Sequence, residues 1–157
     1  MSDIRELSSK ARNAAMEMLS RREHAEHELT IKLIAKGYHS SVVVPLIADL
    51  KAQNLLSDER FSEAVLHVRN RRGYGPLHIV RELKQKGVDD ALIDRLIDPD
   101  AVCWITAVRE VRRKKYGERT PKDYREWTRQ ARFLQSRGFT TEQIRRAMDR
   151  EDLDDLG

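Results

Sequence analysis

Leu33-Ile34-Ala35-Lys36-Gly37-Tyr38, Leu83-Lys84-Gln85-Lys86-Gly87-Val88 and Leu134-Gln135-Ser136-Arg137-Gly138-Phe139 share one frame: a leucine, two variable positions, a base, a glycine and an apolar residue. The glycines stand 50 and 51 residues apart. Downstream the frame continues, with Val43, Ile93 and Ile144 six residues after each glycine and Ile47, Ile97 and Met148 ten after it. A glycine after a helix whose last turn carries Lys or Arg adopts the left-handed conformation that satisfies the final carbonyls, and the apolar residue behind it folds back on the preceding turn. Gly37, Gly87 and Gly138 therefore read as C-caps, and the agreement beyond them marks a second helix in each copy. The chain reads as one unit written three times.

Each copy divides into three helices. In the first they cover about residues 8–20, 24–36 and 40–53, with Ser40 or Ser41 as N-cap and Pro45 near the first turn, where its missing donor costs little. The second opens at Ser57-Asp58 before the stripe Phe61, Val65, Val68, then runs from Pro76 to Lys86 and from Asp89 to Ile97. The third has Asp98-Pro99 and Thr120-Pro121, each a capping side chain before a proline, and Thr140-x-x-Gln143 as a capping box. Trp104, Val108 and Val111 form the inner face of its first helix. No stretch alternates well enough for a strand, and the β-branched run Val42-Val43-Val44 leads into Pro45. The expected fold is all-α: three tandem three-helix repeats, about nine helices, stacked into an elongated, curved array. The segments are 1–56 with a short N-terminal extension, 57–98, 99–151, and an acidic tail at 152–157.

Composition agrees. The 157 residues are 36% charged, and 7 Gly with 4 Pro are few breakers for a chain of that length. Mean hydropathy is −0.68. One cysteine, Cys103, excludes an internal disulfide and a multi-thiolate zinc site and suits the cytoplasm; beside Trp104 it reads as a small buried residue. The longest apolar run, Val42 to Ala48, is far short of the roughly 20 residues that cross a bilayer, so no membrane contact is expected. The N-terminus lacks an apolar signal core, and no export is expected. Net charge is +4, but Asp149 to Gly157 carries −4, leaving +8 on residues 1–148. A basic body draws a polyanion or an acidic protein surface.

Enzyme motifs fail in turn. There is no phosphate-binding Gly-rich loop; Gly73-Tyr74-Gly75-Pro76 lacks a third glycine and reads as a helix linker. His27-Glu28 begins like a zincin motif, but Ile31 stands where the second His belongs. His24 and His27 lie one turn apart on what reads as a polar helix surface. No catalytic residue, metal or cofactor is expected. Bases do cluster twice. Arg69, Arg71, Arg72, Arg81, Lys84 and Lys86 face one acid, Glu82, across residues 69–86; Arg109, Arg112, Arg113, Lys114 and Lys115 end a helix opposed by Glu110. Such residues complement a helix macrodipole for only about 0.3–1 kcal/mol. The arginine excess in the first cluster, suited to bidentate contact with phosphate or carboxylate, and Tyr74 in the adjoining turn, able to anchor a partner or to staple the turn, go beyond that.

Arg69-x-Arg71-Arg72-Gly73-Tyr74-Gly75-Pro76-x-x-Ile79-x-x-Glu82-Leu83-x-Gln85-Lys86-Gly87-Val88, following Phe61-x-x-Ala64, resembles the RecX family of bacterial recombinase regulators. Arg22-x-His24-x-Glu26-x-Glu28-Leu29-x-x-Lys32-Leu33 is similar to that family's first-repeat motif. Arg113-Lys114-Lys115-Tyr116-Gly117, with Arg132-Phe133-Leu134-x-x-Arg137-Gly138-Phe139, is similar to its third. The likeness runs from about residue 8 to 150. Ala25 departs from it, standing where the family usually carries a capping Ser. The resemblance implies a regulator lying in the groove of the RecA filament on single-stranded DNA, restraining filament growth, ATP hydrolysis, strand exchange and co-protease activity, with weaker direct binding to DNA; a monomer is expected. The alternative is a stand-alone DNA-binding protein built from three-helix units. Against it, Asp89 to Ile97 and Thr141 to Arg150 mix acids with bases.

Overall fold

A computed structural model describes residues 2–148; residues 149–151, read as the end of the third segment, and the acidic tail 152–157 lie outside the described residues. Among the described residues there are nine helices and no strand: α1 (Ser2–Arg21), α2 (Glu26–Ala35), α3 (Ser40–Ala52), α4 (Asp58–Arg71), α5 (Pro76–Gln85), α6 (Asp90–Leu96), α7 (Cys103–Tyr116), α8 (Tyr124–Ser136) and α9 (Thr141–Met148). They follow the triplicated frame. Two compact units divide them. The described residues through Ala64 with Leu83–Ile93 form the first, and Val65–Glu82 with those from Asp94 onward form the second, so the middle trio contributes to both.

The glycine turns repeat bond for bond. Tyr38, Val88 and Phe139 donate their N–H to the carbonyls of Leu33, Leu83 and Leu134 at 3.2, 3.1 and 3.2 Å, and Gly37, Gly87 and Gly138 donate to Ile34, Lys84 and Gln135 at 2.9, 3.0 and 3.0 Å. The three glycines have φ of 102°, 79° and 95°, a region costly for any residue with a Cβ. Leu33, Leu83 and Leu134 are fully buried, and Val43, Ile93, Ile144, Ile47, Ile97 and Met148 are all core residues. Each turn thus pins the leucine that ends one helix beneath the apolar stripe of the next.

In the first unit, α1, α2 and α3 pack on one another around Leu29, Leu33, Val43, Leu46, Ile47 and Leu50, and fully buried Ala11 and Ala15 let α1 approach closely. The helix start weakened by Ala25 is completed from elsewhere: Asp58, the first residue of α4, accepts the Glu26 N–H at 2.8 Å. Glu28 is buried between Arg22 Nη2 at 2.8 Å and Lys86 Nζ at 3.0 Å. Burial pushes its pKa upward, but the hydrogen bonds from Arg22 and then Lys86 win and hold it at about 2 against an ordinary 4.5. In the second unit α7, α8 and α9 enclose Trp104, Val108, Leu134, Phe139 and Ile144. The Thr140 capping box forms, with Gln143 N–H to Thr140 Oγ1 at 3.1 Å and Thr140 N–H to Gln143 Oε1 at 2.8 Å.

Helix starts depart from expectation where another acceptor wins. Residues 2–7 are helical, so α1 begins well before residue 8. His39, not Ser40 or Ser41, caps α3, its Nδ1 accepting the Ser41 N–H at 3.1 Å. Pro45 is inside α3, past the first turn, and removes the hydrogen bond a residue there gives the Ser41 carbonyl; burial of Leu46, Ile47 and Leu50 carries the helix through. Asp98-Pro99 does not start α7: Asp98 Oδ1 takes the Asp100 N–H in a turn, and the helix waits until Cys103. Thr120-Pro121 is likewise bypassed, because Asp123 caps α8 by accepting the Glu126 N–H at 2.8 Å. Cys103 is exposed, Trp104 having taken the inward position, and Val68 turns outward at the end of its stripe.

Glu28→Gln should destabilise the protein by about 2 kcal/mol at neutral pH, because it leaves Arg22 and Lys86 without their shared carboxylate. The folded carboxyl has the lower pKa, so its contribution is complete above pH 4.5 and lost as pH falls toward 2; urea denaturation of parent and variant should converge over that window. A constant gap across it would show that the charge is not what Glu28 contributes.

Candidate anion-binding site

The linker after α4 is built on a fourth glycine turn. Tyr74 N–H donates to the Arg69 carbonyl at 3.0 Å and Gly73 N–H to the Asn70 carbonyl at 3.0 Å, with Gly73 at φ 85°. Pro76 then opens α5 at the position where its missing donor is harmless. This linker docks on the turn after α8: Gly75 N–H donates to the Arg137 carbonyl at 2.7 Å, and Leu77 N–H to the Gly138 carbonyl at 2.9 Å. A Cβ on Gly75 would sit 2.6 Å from the Gly138 carbonyl carbon, so only glycine allows the two backbones to touch.

That contact brings the two basic clusters together. Arg71 and Arg72, at the end of α4, line a cavity of about 300 Å³ with Lys114 and Lys115 of α7 and Arg137 of the α8 cap. Gly73, Ala107, Val111 and Phe133 supply apolar lining, and Glu110 is its single acid. Aromatic rings hold two of the cations in place. Arg137 lies 4.8 Å from the Tyr74 ring centre and 5.2 Å from that of Phe133, and Lys115 Nζ lies 3.9 Å from Phe133. Glu110 is occupied by Arg113 at 2.7 Å and Lys114 at 3.9 Å, and the Arg113 hydrogen bond holds its pKa below the ordinary carboxylate value. Five cations against one engaged carboxylate give the cavity a charge complementary to a phosphate or carboxylate group, with no nucleophile and base pair among its lining residues.

The other expected residues go elsewhere. Arg69 is locked to Glu82, Nη2 to Oε1 at 2.7 Å and Nε to Oε2 at 2.9 Å, and that hydrogen bond raises its pKa. Lys86 is spent on Glu28. Arg112 is a buried structural residue, Nε donating to Gln130 Oε1 at 3.0 Å and Nη2 to the Arg119 carbonyl, and burial lowers its pKa. It stands four residues after Val108 on the inward face of α7, so its place was implicit in the Trp104 stripe. Arg109 and Arg113 border a separate concavity with Arg146. Arg81 and Lys84 are exposed and outside the cavity lining. Tyr74, by contrast, does line the cavity: it is half-buried, stacked on His78 with ring centres 4.2 Å apart, and staples its turn from there. Burial, with Arg69, Arg81 and Arg137 nearby, keeps the His78 pKa below its usual value although Glu82 opposes.

Sequence reasoning missed Arg137 and Phe133 as site residues. Both stand in the stretch Arg132 to Phe139 that is similar to the family's third-repeat motif, Arg137 also as the base before a capping glycine, but neither was read as lining a site. His24 and His27 do not form a ligand pair: His24 is buried ahead of α2 with Nδ1 at 3.1 Å from the Arg22 carbonyl and Nε2 at 3.2 Å from Lys32 Nζ. No group of three or more metal-ligating side chains occurs among the described residues.

Three family models match the chain in series: the RecX first three-helix domain over residues 11–50, the second over 57–97 and the third over 105–148. A protein named regulatory protein RecX from Halorhodospira halophila is 41% identical over 155 residues, covering 99% of this chain and 96% of that one. The regulatory protein RecX of Pseudomonas entomophila is 37% identical over 155 residues, covering 99% and 100%. The fold is also that of the crystal structure of RecX from Lactobacillus salivarius, with a TM-score of 0.75 at 22% identity over 98% of this chain and 99% of that one. With a triplicated glycine frame, nine helices in trios among the described residues and family matches spanning all three of them, the chain belongs to the RecX family of regulatory proteins.

Proposed function

We propose that this chain restrains the RecA recombinase by binding its filament on single-stranded DNA, and that the cavity between the ends of α4, α7 and α8 is the surface that does so. One observation carries the reading: clusters more than 30 residues apart in sequence converge on one concavity whose cations outnumber its acids five to one. A filament of protein on DNA offers carboxylates and phosphates in repeating array, and a preorganised arginine and lysine cluster suits either. In this reading the chain acts as a cytoplasmic monomer, inhibits filament growth, ATP hydrolysis, strand exchange and co-protease activity together by occupying the filament, and touches free DNA more weakly. No helix of the described residues is long and apolar enough to cross a membrane.

Arg71→Ala with Arg72→Ala should raise the concentration needed to inhibit RecA's DNA-dependent ATP hydrolysis by about tenfold or more, with an unchanged thermal transition, since both side chains are exposed. The same variant should show a shallower salt dependence of filament binding, by about two in the logarithmic slope if both arginines meet phosphate. An unchanged inhibition curve refutes the site. A second variant, Gly75→Ala, tests the scaffold: overpacking against Gly138 should cost about 1–3 kcal/mol in denaturation and weaken inhibition through displaced Arg137. Full inhibition by a destabilised Gly75→Ala protein would separate the cavity from the activity.

A further inference from the structure

The outer face of α8 carries a feature that the cavity does not use. Arg125, Arg129 and Arg132 are exposed and spaced by four and three residues, which sets them in one stripe about 10 Å long, opposite the buried Gln130 and Leu134. None of the three has a hydrogen-bond or ion-pair partner among the described residues, whereas Arg12, Arg22, Arg60, Arg69 and Arg113 are all paired. The acids nearest the stripe are turned to the backbone and to a glutamine: Asp123 caps the helix, and Glu126 accepts from the Lys122 N–H at 3.2 Å and from Gln130 Nε2 at 3.4 Å.

Beside the arginines stands Tyr124, 81% exposed, its ring parallel to that of Trp127 within 4° at a centre distance of 6.4 Å. An aromatic ring left this open gains nothing from the protein core. A free π face next to unpaired guanidinium groups is instead the arrangement that stacks a base and holds its phosphates. From these contacts we infer that the α8 face is a second binding site, for single-stranded nucleic acid, taking one or two bases on Tyr124 and Trp127 and the adjoining phosphates on Arg125, Arg129 and Arg132. A duplex keeps its base faces stacked and closed, and an acidic protein surface has carboxylates for the arginines but no flat ring for Tyr124. The site is separate from the recombinase-binding cavity and is tested without the recombinase.

The test is titration of the full chain with oligothymidylate of about 15 nucleotides, followed by tryptophan fluorescence. Trp104 is buried, so Trp127 reports the stacking. Binding should quench the emission and weaken with salt. Arg129→Glu with Arg132→Glu should lower affinity at least about tenfold; Tyr124→Ala should lower it about fivefold or more, and Tyr124→Phe should keep it within about twofold. Arg71→Ala with Arg72→Ala should leave the quench intact. Affinity unaltered by the α8 substitutions, or polyglutamate or the matching duplex binding as tightly with the same dependence on Arg129 and Arg132, overturns the assignment. So does a quench that disappears in the Arg71/Arg72 variant alone.

Discussion

Two backbone hydrogen bonds, from Gly75 to Arg137 at 2.7 Å and from Leu77 to Gly138 at 2.9 Å, hold the candidate site together. They are main-chain bonds between two turns, possible because Gly75 has no side chain where Gly138 passes and because Gly138 adopts φ 95°. The consequence is positional. Arg71 and Arg72 end one helix and Arg137 ends another, and docking the turns that follow those helices sets all three around one opening. Each turn also has bonds of its own, Tyr74 to Arg69 and Phe139 to Leu134, beside the two that join them.

Charge in this protein is sorted by packing. A chain that is 36% charged carries bases nearly everywhere, yet structure commits many of them: Arg22 and Lys86 to Glu28, Arg69 to Glu82, Arg112 to Gln130, Arg60 to Glu23. Arg71 and Arg72 at the cavity and Arg125, Arg129 and Arg132 along α8 stay exposed. Removing one partner of a committed pair is costly where a carboxylate is buried, as at Glu28, and the exposed cations are where association with a polyanion gains most from electrostatic steering. Net charge alone does not distinguish these classes.

The architecture was legible because it rests on local chemistry repeated three times. A leucine, a base, a glycine and an apolar residue specify a turn whose bonds lie within six residues, and repetition at 50 and 51 residues exposes the period. Helix starts were less legible, because several acceptors compete for the same N–H groups. Asp123 outcompetes Thr120, His39 stands ahead of Ser40, and Asp58 caps α2 from 32 residues away. The site was half legible for the same reason. Arg71, Arg72, Lys114 and Lys115 were visible as clusters, but Arg137 and Phe133 join them only through a tertiary contact between turns. The loss of Arg69, Lys86 and Arg112 to internal partners depends on which acid or amide the fold places opposite; only for Arg112 did the helical period carry a signal.

The convergence of cations on the cavity is tested most directly by imaging this chain bound to RecA filaments on single-stranded DNA by electron cryomicroscopy. The cavity lined by Arg71, Arg72, Lys114, Lys115 and Arg137 should face the filament, with density for acidic side chains or phosphate within hydrogen-bond reach of the guanidinium groups. A complex in which that opening looks into solvent while another face of the protein meets the filament would contradict it.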